Sequence, residues 1–279
     1  MTTVSVLMTC HERRERTLAC LRSLRTQQGL DGVGVEVVLV DAGSRDGTAD
    51  AVEAAHPEVT VLRRGDELFW NGGMRVALAE AHRSDPDHYL WLNDDVDLDA
   101  DALRTLLDTF ATLEPSDGPC IVVGSTRDPA TGELTYGGVV RPHRFRPTSY
   151  DLIEPGPAPR RAETMNGNVV LVPRAVVGQI GNLAAAYTHG FGDYDYGHRA
   201  ELAGFAVWVA PGTIGTCSRN PAATRERSFA EHRRRAVSVR GGLPPREWTT
   251  FTRRWAGPVW PVFAVSPYVK RWVHWLRSA

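Results

Sequence analysis

The chain has 279 residues, of which 42% are hydrophobic and 23% are charged. These proportions are typical of a globular protein and exclude a chain that is disordered throughout. The four cysteines form no CxxC pair, so the sequence indicates neither a zinc knuckle nor a disulfide framework. The first residues lack a long apolar run behind a basic segment, which predicts a cytoplasmic protein without a secretory signal.

The net charge of −1 hides an uneven distribution along the chain. Residues 219–279 contain 13 basic and 3 acidic residues, a net charge of +10, together with five of the eight tryptophans. Residues 1–218 contain 19 basic and 30 acidic residues, a net charge of −11. This contrast predicts a main domain over 1–218 and a basic, tryptophan-rich helical extension over 219–279. An exchange of charge between two packed parts of one protein would give the same pattern.

Short β-branched segments alternate with segments of helical periodicity. Strands are predicted at 4–8, 35–40, 59–62, 89–92, 165–172 and 205–210. Helices are predicted at 13–28, 49–56, 74–82, 101–113 and 193–203. Residues 125–165 contain many glycines and prolines, which predicts loops and short strands around a binding surface. The alternation predicts a Rossmann-like, doubly wound α/β sheet that binds ligands at the carboxyl ends of its strands.

The strand predicted at 89–92 is followed directly by an acidic segment. This segment reads Asn93-Asp94-Asp95-Val96-Asp97, with three carboxylates in four residues. Carboxylates this close repel one another unless a cation or strong hydrogen-bond donors lie among them. Oxygen ligands of this kind suit Mg²⁺ or Mn²⁺, which usually also bind substrate phosphates. The alternative interpretation is an acidic turn that caps the helix beginning near Asp101.

A second acidic pair opens the helix predicted at 193–203. Asp193 and Asp195 stand there among aromatic residues. A carboxylate in this position serves either as a general base or as a helix cap favoured by the helix dipole.

Two glycine-containing segments are weaker candidates. Asn71-Gly72-Gly73 precedes a predicted helix, where glycines allow a phosphate to approach the backbone but also form ordinary turns. Asn166-Gly167 predicts a tight turn or a pocket wall near the same strand ends. The chain has neither the P-loop nor the dinucleotide-binding glycine pattern.

Four motifs, taken in order, resemble the family 2 glycosyltransferases, including rhamnosyltransferases. They are VSVLMTCHER, VVLVDAGSRDGT, LWLNDDVDLDADAL and FGDYDYGHRAELAGFAVWVAP, within about residues 2–218. The resemblance implies the GT-A fold and an inverting hexosyltransferase that is assisted by Mg²⁺ or Mn²⁺. It also implies a nucleotide-diphosphate sugar as the donor and a hydroxyl group as the acceptor.

The resemblance also implies roles for particular residues. Thr9 and Asp41 would lie at the base and ribose of the donor, Asp94 would face the ribose or the metal, and Asp95 would be the metal ligand. Asp193 matches the catalytic base. Asn71 and Gly72 are further candidates for donor binding. The candidates for a supporting or acceptor-binding role are Asp97, Asn166, Gly167, Asp195 and Arg199.

The sequence departs from the family pattern at three points. Ala42 stands where many relatives have a second aspartate that contacts the base, which leaves room for a dTDP-sugar as well as a UDP-sugar. Gly192 precedes Asp193 where a glutamate is usual. Thr216-Cys217-Ser218 stands where some relatives have a metal-binding histidine.

The extension interleaves aromatic residues with arginine and lysine, which suits a membrane interface. This composition fits a lipid-linked saccharide acceptor, a product among cell-surface glycans, and a peripheral location on the inner face of the plasma membrane. Packing against the main domain or a dimer partner is the open alternative. A nucleotidyltransferase and a non-catalytic protein that binds sugar nucleotides are the rival functions. Binding of nucleic acid is disfavoured by the acidic main domain.

Overall fold

The computed structural model describes residues 1–219, 229–239 and 242–278. Its strands are β1 (Thr2–Cys10), β2 (Val33–Ala42), β3 (Thr60–Arg64), β4 (His88–Leu92), β5 (Asp97–Leu98), β6 (Ile121–Val123), β7 (Thr126–Arg127), β8 (Leu134–Tyr136), β9 (Gly138–Val140), β10 (Asp151–Leu152), β11 (Arg160–Ala162), β12 (Thr164–Met165), β13 (Val169–Pro173), β14 (Val207–Val209) and β15 (Gly215–Thr216). Its α-helices are α1 (Arg14–Arg25), α2 (Thr48–Ala55), α3 (Phe69–Ala81), α4 (Ala102–Asp117), α5 (Arg174–Ile180), α6 (Gly192–Leu202), α7 (Phe229–Ala236), α8 (Pro245–Trp255) and α9 (Trp260–Ser278).

Eight strands form the central sheet, in the order β11-β14-β6-β13-β4-β1-β2-β3. Strands β3, β2, β1 and β4 are parallel, whereas β13 is antiparallel to both β4 and β6. Residues of β1 alternate between two cores: Val4, Val6 and Met8 pack in one, and Leu7 packs in the other. Because both faces of the sheet are covered, its central strands are almost continuously apolar. The predicted doubly wound α/β sheet is therefore confirmed.

One edge of this sheet collects the polar strand ends. In register, Cys10 at the end of β1 lies beside Asp41 at the end of β2. Since β13 runs antiparallel to β4, its first residue pairs with the last residue of β4, Leu92. The Asn93 N–H donates to the Asn168 carbonyl at 2.9 Å. The acidic segment after β4 and the turn before β13 therefore lie side by side.

Two predicted elements differ from the structure in ways that affect the site. The strand predicted at 165–172 is divided into β12 and β13, because Asn166-Gly167-Asn168 forms the turn between them. The helix predicted to begin at Met74 begins at Phe69. Gly72 and Gly73 therefore lie within α3, where a side chain at Gly73 would overlap Thr9. Gly73 therefore allows α3 to pack closely on β1, whereas Gly72 faces Leu68.

The predicted helical extension is confirmed by α7, α8 and α9. It packs on the rest of the chain through an aromatic cluster in which Tyr187, Trp248 and Phe251 are buried. The indole N–H of Trp248 also donates to the Phe263 carbonyl at 3.0 Å, which ties α8 to α9. None of the described helices combines the length and the apolar character needed to cross a bilayer. The division at residue 218 stays a prediction.

Candidate active site

The acidic segment after β4 is paired with an arginine from the loop after β1. Arg13 Nη1 donates to Asp94 Oδ1 at 3.1 Å and to Asp95 Oδ2 at 2.7 Å. Arg16 lies 4.0 Å from the same Asp95 oxygen. The repulsion between the carboxylates is thus offset by cationic donors. The N-cap residue of α4 is Asp101, outside this segment, and it forms no side-chain capping hydrogen bond.

The carboxylates of this segment lie in different environments. Asp94 is buried, and burial raises its pKa to about 7 although Arg13 opposes the shift. Asp97 is exposed on the small strand β5. Cys217, at the position where some relatives have a histidine, donates its thiol to Asp95 Oδ1 at 3.5 Å. Burial raises the pKa of this thiol to about 12, so the thiol keeps its proton.

The chemistry of these side chains is compatible with a divalent cation. In the described part of the chain, no three His, Cys, Asp or Glu side chains form a group suited to a metal ion. A magnesium-type site needs only one or two protein carboxylates when substrate phosphates supply further oxygens. Asp95, with Asp94 beside it, meets that requirement. Arg13 would compete with a cation for Asp95 Oδ2, because its charge would repel a cation bound to that oxygen.

The residues predicted to bind the donor do not share one environment. Thr9 and Asp41 are both buried at the ends of neighbouring strands, and Asp41 Oδ1 accepts a hydrogen bond from the Ser44 N–H at 2.9 Å. Gly72 is half-buried and faces Leu68. These positions are at or near the polar edge of the sheet.

Asn71 is held in the protein interior. Its side chain is fully buried and donates to the carbonyl oxygens of Ala184 at 3.0 Å and Tyr187 at 2.6 Å. It therefore joins α3 to the loop that precedes α6. A side chain at Gly192 would overlap Asn71 Oδ1, so the two residues are closely packed. This arrangement argues against the predicted contact of Asn71 with a donor.

Asp193 lies in the first turn of α6 and is anchored by backbone groups. The Gly167 N–H donates to Oδ2 at 3.0 Å, and the Tyr194 N–H donates to Oδ1 at 2.9 Å. Burial raises the pKa of Asp193 to about 6, although these hydrogen bonds favour the charged form. The residue is half-buried, lines a cavity of about 780 Å³, and has no ion pair with any described residue. It is thus a weakly basic, accessible carboxylate and not the N-cap of its helix.

The backbone just before Asp193 is strained. Phe191 has a φ of +67°, a conformation that bulky residues rarely adopt and that costs on the order of 1–3 kcal/mol. The Phe191 ring packs against Phe251 and Trp248 of α8, with ring centroids 5.2 and 5.5 Å apart. These contacts hold the strained residue in place. The position of the Asp193 helix turn therefore depends on the extension.

Asp195, the second acid of the pair, has a different environment from Asp193. It is completely buried and accepts four hydrogen bonds. The donors are Tyr187 Oη at 3.1 Å, Arg199 Nε at 2.9 Å, Arg254 Nη1 at 2.8 Å and Trp255 Nε1 at 3.0 Å. Two of these donors belong to α8. Asp195 therefore joins α8 to α6, while Arg199 ties Asp195 to the carbonyls of Ile180 and Asn182. Neither residue is among those that line the cavity next to Asp193.

Two residues that the sequence analysis did not assign connect the parts of the site. Trp70 donates its indole N–H to Asn93 Oδ1 at 2.7 Å, and a side chain at Gly167 would collide with its ring. Trp70 thus lies between the acidic segment and the turn that anchors Asp193. Arg13 is the other residue. It pairs with Asp94 and Asp95, which are far away in the sequence, so residue spacing could not predict the contact.

A mixed α/β sheet that ends in an acidic turn, with a separate accessible carboxylate at the same edge, is the arrangement of a GT-A-type glycosyltransferase. The sequence pattern described as Glycosyl transferase family 2 matches residues 5–194, which is more than half of the chain. The chain belongs to this family and is a glycosyltransferase.

Known relatives agree with this assignment. The N-acetylglucosaminyl-diphospho-decaprenol L-rhamnosyltransferase of Mycobacterium tuberculosis is 28% identical over 217 residues, which cover 71% of this chain and 69% of that protein. The structure of S. aureus TarS 1–349 has a TM-score of 0.54 at 15% identity and is matched by 78% of this chain. This chain spans 60% of the length of that TarS chain.

A third similar structure is the mannosyltransferase PcManGT from Pyrobaculum calidifontis in complex with GDP-Man and Mn²⁺. It has a TM-score of 0.55 at 17% identity, and the match covers 95% of this chain and 69% of that chain. At such low identity, the two structural similarities demonstrate a shared fold alone. The predicted GT-A fold is confirmed by them.

Proposed function

We propose that this protein transfers a sugar, with inversion, from a nucleotide-diphosphate sugar to a hydroxyl group of an acceptor, and that Asp193 is the catalytic base. The observation that carries this proposal is the environment of Asp193. Its carboxylate is anchored by the Gly167 and Tyr194 N–H groups, forms no ion pair with any described residue, and lines a large cavity. A base that must accept a proton near neutral pH needs this combination of fixed position, access and raised pKa.

In the proposed reaction, the Asp193 carboxylate accepts the proton of the acceptor hydroxyl. The hydroxyl oxygen forms a bond to the anomeric carbon from the face opposite the diphosphate. The bond between that carbon and the diphosphate oxygen breaks, and the nucleoside diphosphate leaves with the bonding electrons. One displacement of this kind inverts the anomeric configuration.

Asp95, supported by Asp94, would hold a divalent cation. Mg²⁺ or Mn²⁺ bound there would neutralise negative charge on the departing diphosphate. PcManGT binds Mn²⁺ together with its donor, which supports the assignment. Arg13 already supplies positive charge at the same carboxylates. Thr9 and Asp41 are proposed to contact the nucleoside of the donor.

The donor and acceptor are proposed from the relatives. TarS has been solved with UDP and with UDP-GlcNAc, and the M. tuberculosis relative is an L-rhamnosyltransferase whose acceptor is a saccharide diphosphate on a polyprenol. With Ala42 at the end of β2, we propose a dTDP-sugar or a UDP-sugar as donor. A lipid-linked saccharide that contributes to a cell-surface glycan is the proposed acceptor.

Peripheral contact with the inner face of the plasma membrane is part of the same proposal. Helix α9 exposes apolar side chains at successive three- and four-residue steps, namely Val262, Val265, Val269, Trp272 and Leu276. The extension around this stripe carries a net charge of +10, which suits a bilayer with anionic lipids.

Vesicle co-sedimentation tests this contact. The protein should sediment with vesicles that contain phosphatidylglycerol, and the doubly substituted Val265→Asp, Trp272→Asp variant should stay in the supernatant. Equal behaviour of the two proteins would contradict membrane contact. A dimer in analytical ultracentrifugation that dissociates in the variant would assign the stripe to a second copy of the chain.

A thermal-shift screen tests the transferase assignment. dTDP-L-rhamnose, UDP-GlcNAc and GDP-mannose, each with Mn²⁺, are added separately, and a donor that binds the native state raises its melting temperature. Release of nucleoside diphosphate on addition of acceptor identifies a glycosyltransferase. Binding without turnover would favour the non-catalytic alternative, and formation of pyrophosphate from a nucleoside triphosphate and a sugar phosphate would favour a nucleotidyltransferase.

A further inference from the structure

The cavity next to Asp193 is built jointly by the main domain and the extension. Its volume is about 780 Å³, within the usual range for a small-molecule site. Three parts of the chain surround it: the loop at 146–150, the start of α6, and the helices α8 and α9. Asp193 is the only carboxylate among the residues described as lining it. A ligand in this cavity would therefore lie directly against the proposed base.

Aromatic rings form much of the cavity wall, and hydrogen bonds and ring contacts fix their orientation. Tyr150 Oη lies 2.7 Å from His198 Nε2, and burial lowers the pKa of that imidazole to about 4, so the ring is neutral. The Tyr150 and Tyr194 rings meet edge to face, 4.8 Å apart. Tyr194 Oη accepts a hydrogen bond from Asn166 Nδ2 at 3.1 Å. Rigid aromatic faces bind a ligand with little loss of side-chain entropy.

Two cations complete the cavity. Arg146 lines it from the 146–150 loop and Lys270 lines it from α9. Both residues are exposed. Neither forms an ion pair with another residue in the described part of the chain. Exposed cations beside aromatic walls suit a ligand with an apolar or sugar-like part and an anionic part. Arginine and lysine are the residues that most often bind phosphate groups.

We propose that this cavity binds the acceptor as a saccharide carried on a phosphate or diphosphate, with a sugar hydroxyl at Asp193 and the phosphate at Arg146 and Lys270. This inference rests on the proposed function, because it assigns the acceptor to the same base. It gives the extension a direct role, since α8 and α9 form walls of the acceptor site.

The geometry of α9 agrees with a lipid carrier for that phosphate. Phe263, Ser266, Pro267 and Lys270 line the cavity from one side of the helix. The exposed apolar stripe from Val262 to Leu276 lies on another side. A lipid tail that leaves the cavity past Lys270 would therefore meet an apolar surface.

Isothermal titration calorimetry with the full chain tests this assignment. The probes are N-acetylglucosaminyl diphosphate with a short alkyl ester, the same alkyl glycoside without phosphate, and inorganic diphosphate. The doubly substituted Arg146→Gln, Lys270→Gln variant should bind the first probe at least about tenfold more weakly than the wild type. The glycoside without phosphate should bind both proteins equally. The matched control is Arg253→Gln, which removes an exposed arginine outside the cavity.

A second variant tests the cavity by its volume and not by its charge. Ser266→Trp fills the cavity from α9 and should abolish binding of the alkyl diphosphate probe while the donor-induced thermal shift persists. Binding that is equal in all variants, or equally weakened in the Arg253 control, would overturn the proposal. Tight binding of inorganic diphosphate alone would assign the cations to a free anion instead of a saccharide carrier. A wild-type protein that binds donors but no probe would overturn the acceptor site and leave the transferase assignment intact.

Discussion

The dependence of activity on pH is the sharpest consequence of the Asp193 environment. Burial raises the pKa of this carboxyl from 3.8 to about 6. With that pKa, the fraction in the basic form is about 99% at pH 8 and about 9% at pH 5. With an ordinary aspartate pKa, the fraction in the basic form would still be about 94% at pH 5. We therefore expect protonation of Asp193 to lower kcat/KM about tenfold between pH 8 and pH 5, through a limb centred near pH 6 that the Asp193→Asn variant lacks. Asp94, whose pKa burial raises to about 7, adds its own fall at the proposed metal site in both proteins.

Other polar groups around the cavity also affect the profile. Tyr194 and Tyr150 are neutral over this range, because burial raises the pKa of both phenols. Arg146 and Lys270 line the same cavity. A closer approach of these cations to the carboxylate would shift the limb to lower pH, and the charge of a bound donor would shift it to higher pH.

Initial rates of nucleoside diphosphate release, measured from pH 4.5 to 8.5 at constant ionic strength, give the profile. Enzyme held at pH 5 and returned to pH 8 must recover full activity, which excludes unfolding as the cause of the fall. The Asp193→Asn variant should have turnover lower by at least about 100-fold and no limb near pH 6, while the donor still raises its melting temperature. A flat profile down to pH 5 in the wild type, or near-normal turnover in this variant, would refute the assignment of Asp193 as the base.

Two further substitutions separate structure from catalysis and address the metal. Asp195→Asn removes a buried charge that pairs with Arg199 and Arg254, and should lower stability by about 3 kcal/mol, or roughly 6–12 °C in the melting temperature by calorimetry. An unchanged melting temperature would contradict the joining role of Asp195. Arg13→Gln removes the cation that occupies Asp95, and should tighten Mn²⁺ binding without nucleotide by about fivefold, measured from the electron paramagnetic resonance of free Mn²⁺. Arg16→Gln, whose guanidinium is 4.0 Å away, is the control, and equal affinities in all three proteins would contradict competition at this carboxylate.

The parts of the site that follow from strand order could be predicted from the sequence. Asp41 follows the apolar, β-branched run of β2, Asp94 and Asp95 follow the end of β4 after Asn93, and parallel strands bring their carboxyl ends to one edge of the sheet. Asp193 could be proposed because its motif resembles that of a family. The local sequence pattern was sufficient to predict these positions, because each residue is positioned by its own strand or helix.

Other features depend on contacts between distant segments, which periodicity does not record. Asn71 lies beside paired glycines in the sequence, but it is buried because it bonds to carbonyls 113 and 116 residues away. Arg13 meets Asp94 across 81 residues. Asp193 and Asp195 are only two residues apart, but Asp195 accepts hydrogen bonds from Tyr187, Arg199 and two residues of α8, whereas Asp193 lines the cavity. Tertiary packing therefore decides which of two similar carboxylates is available for chemistry.

The two oppositely charged parts of the chain form a direct ion pair at Asp195. This acid belongs to the negatively charged part, and its partner Arg254 belongs to the positively charged extension, at 2.8 Å. The same helix α8 supports the strained Phe191 through Trp248 and Phe251. Both contacts act within two residues of Asp193, one on the backbone before it and one on the helix turn after it. The extension therefore acts on the proposed base in two ways: it orders the turn that carries the carboxylate, and it closes the cavity into which that carboxylate points.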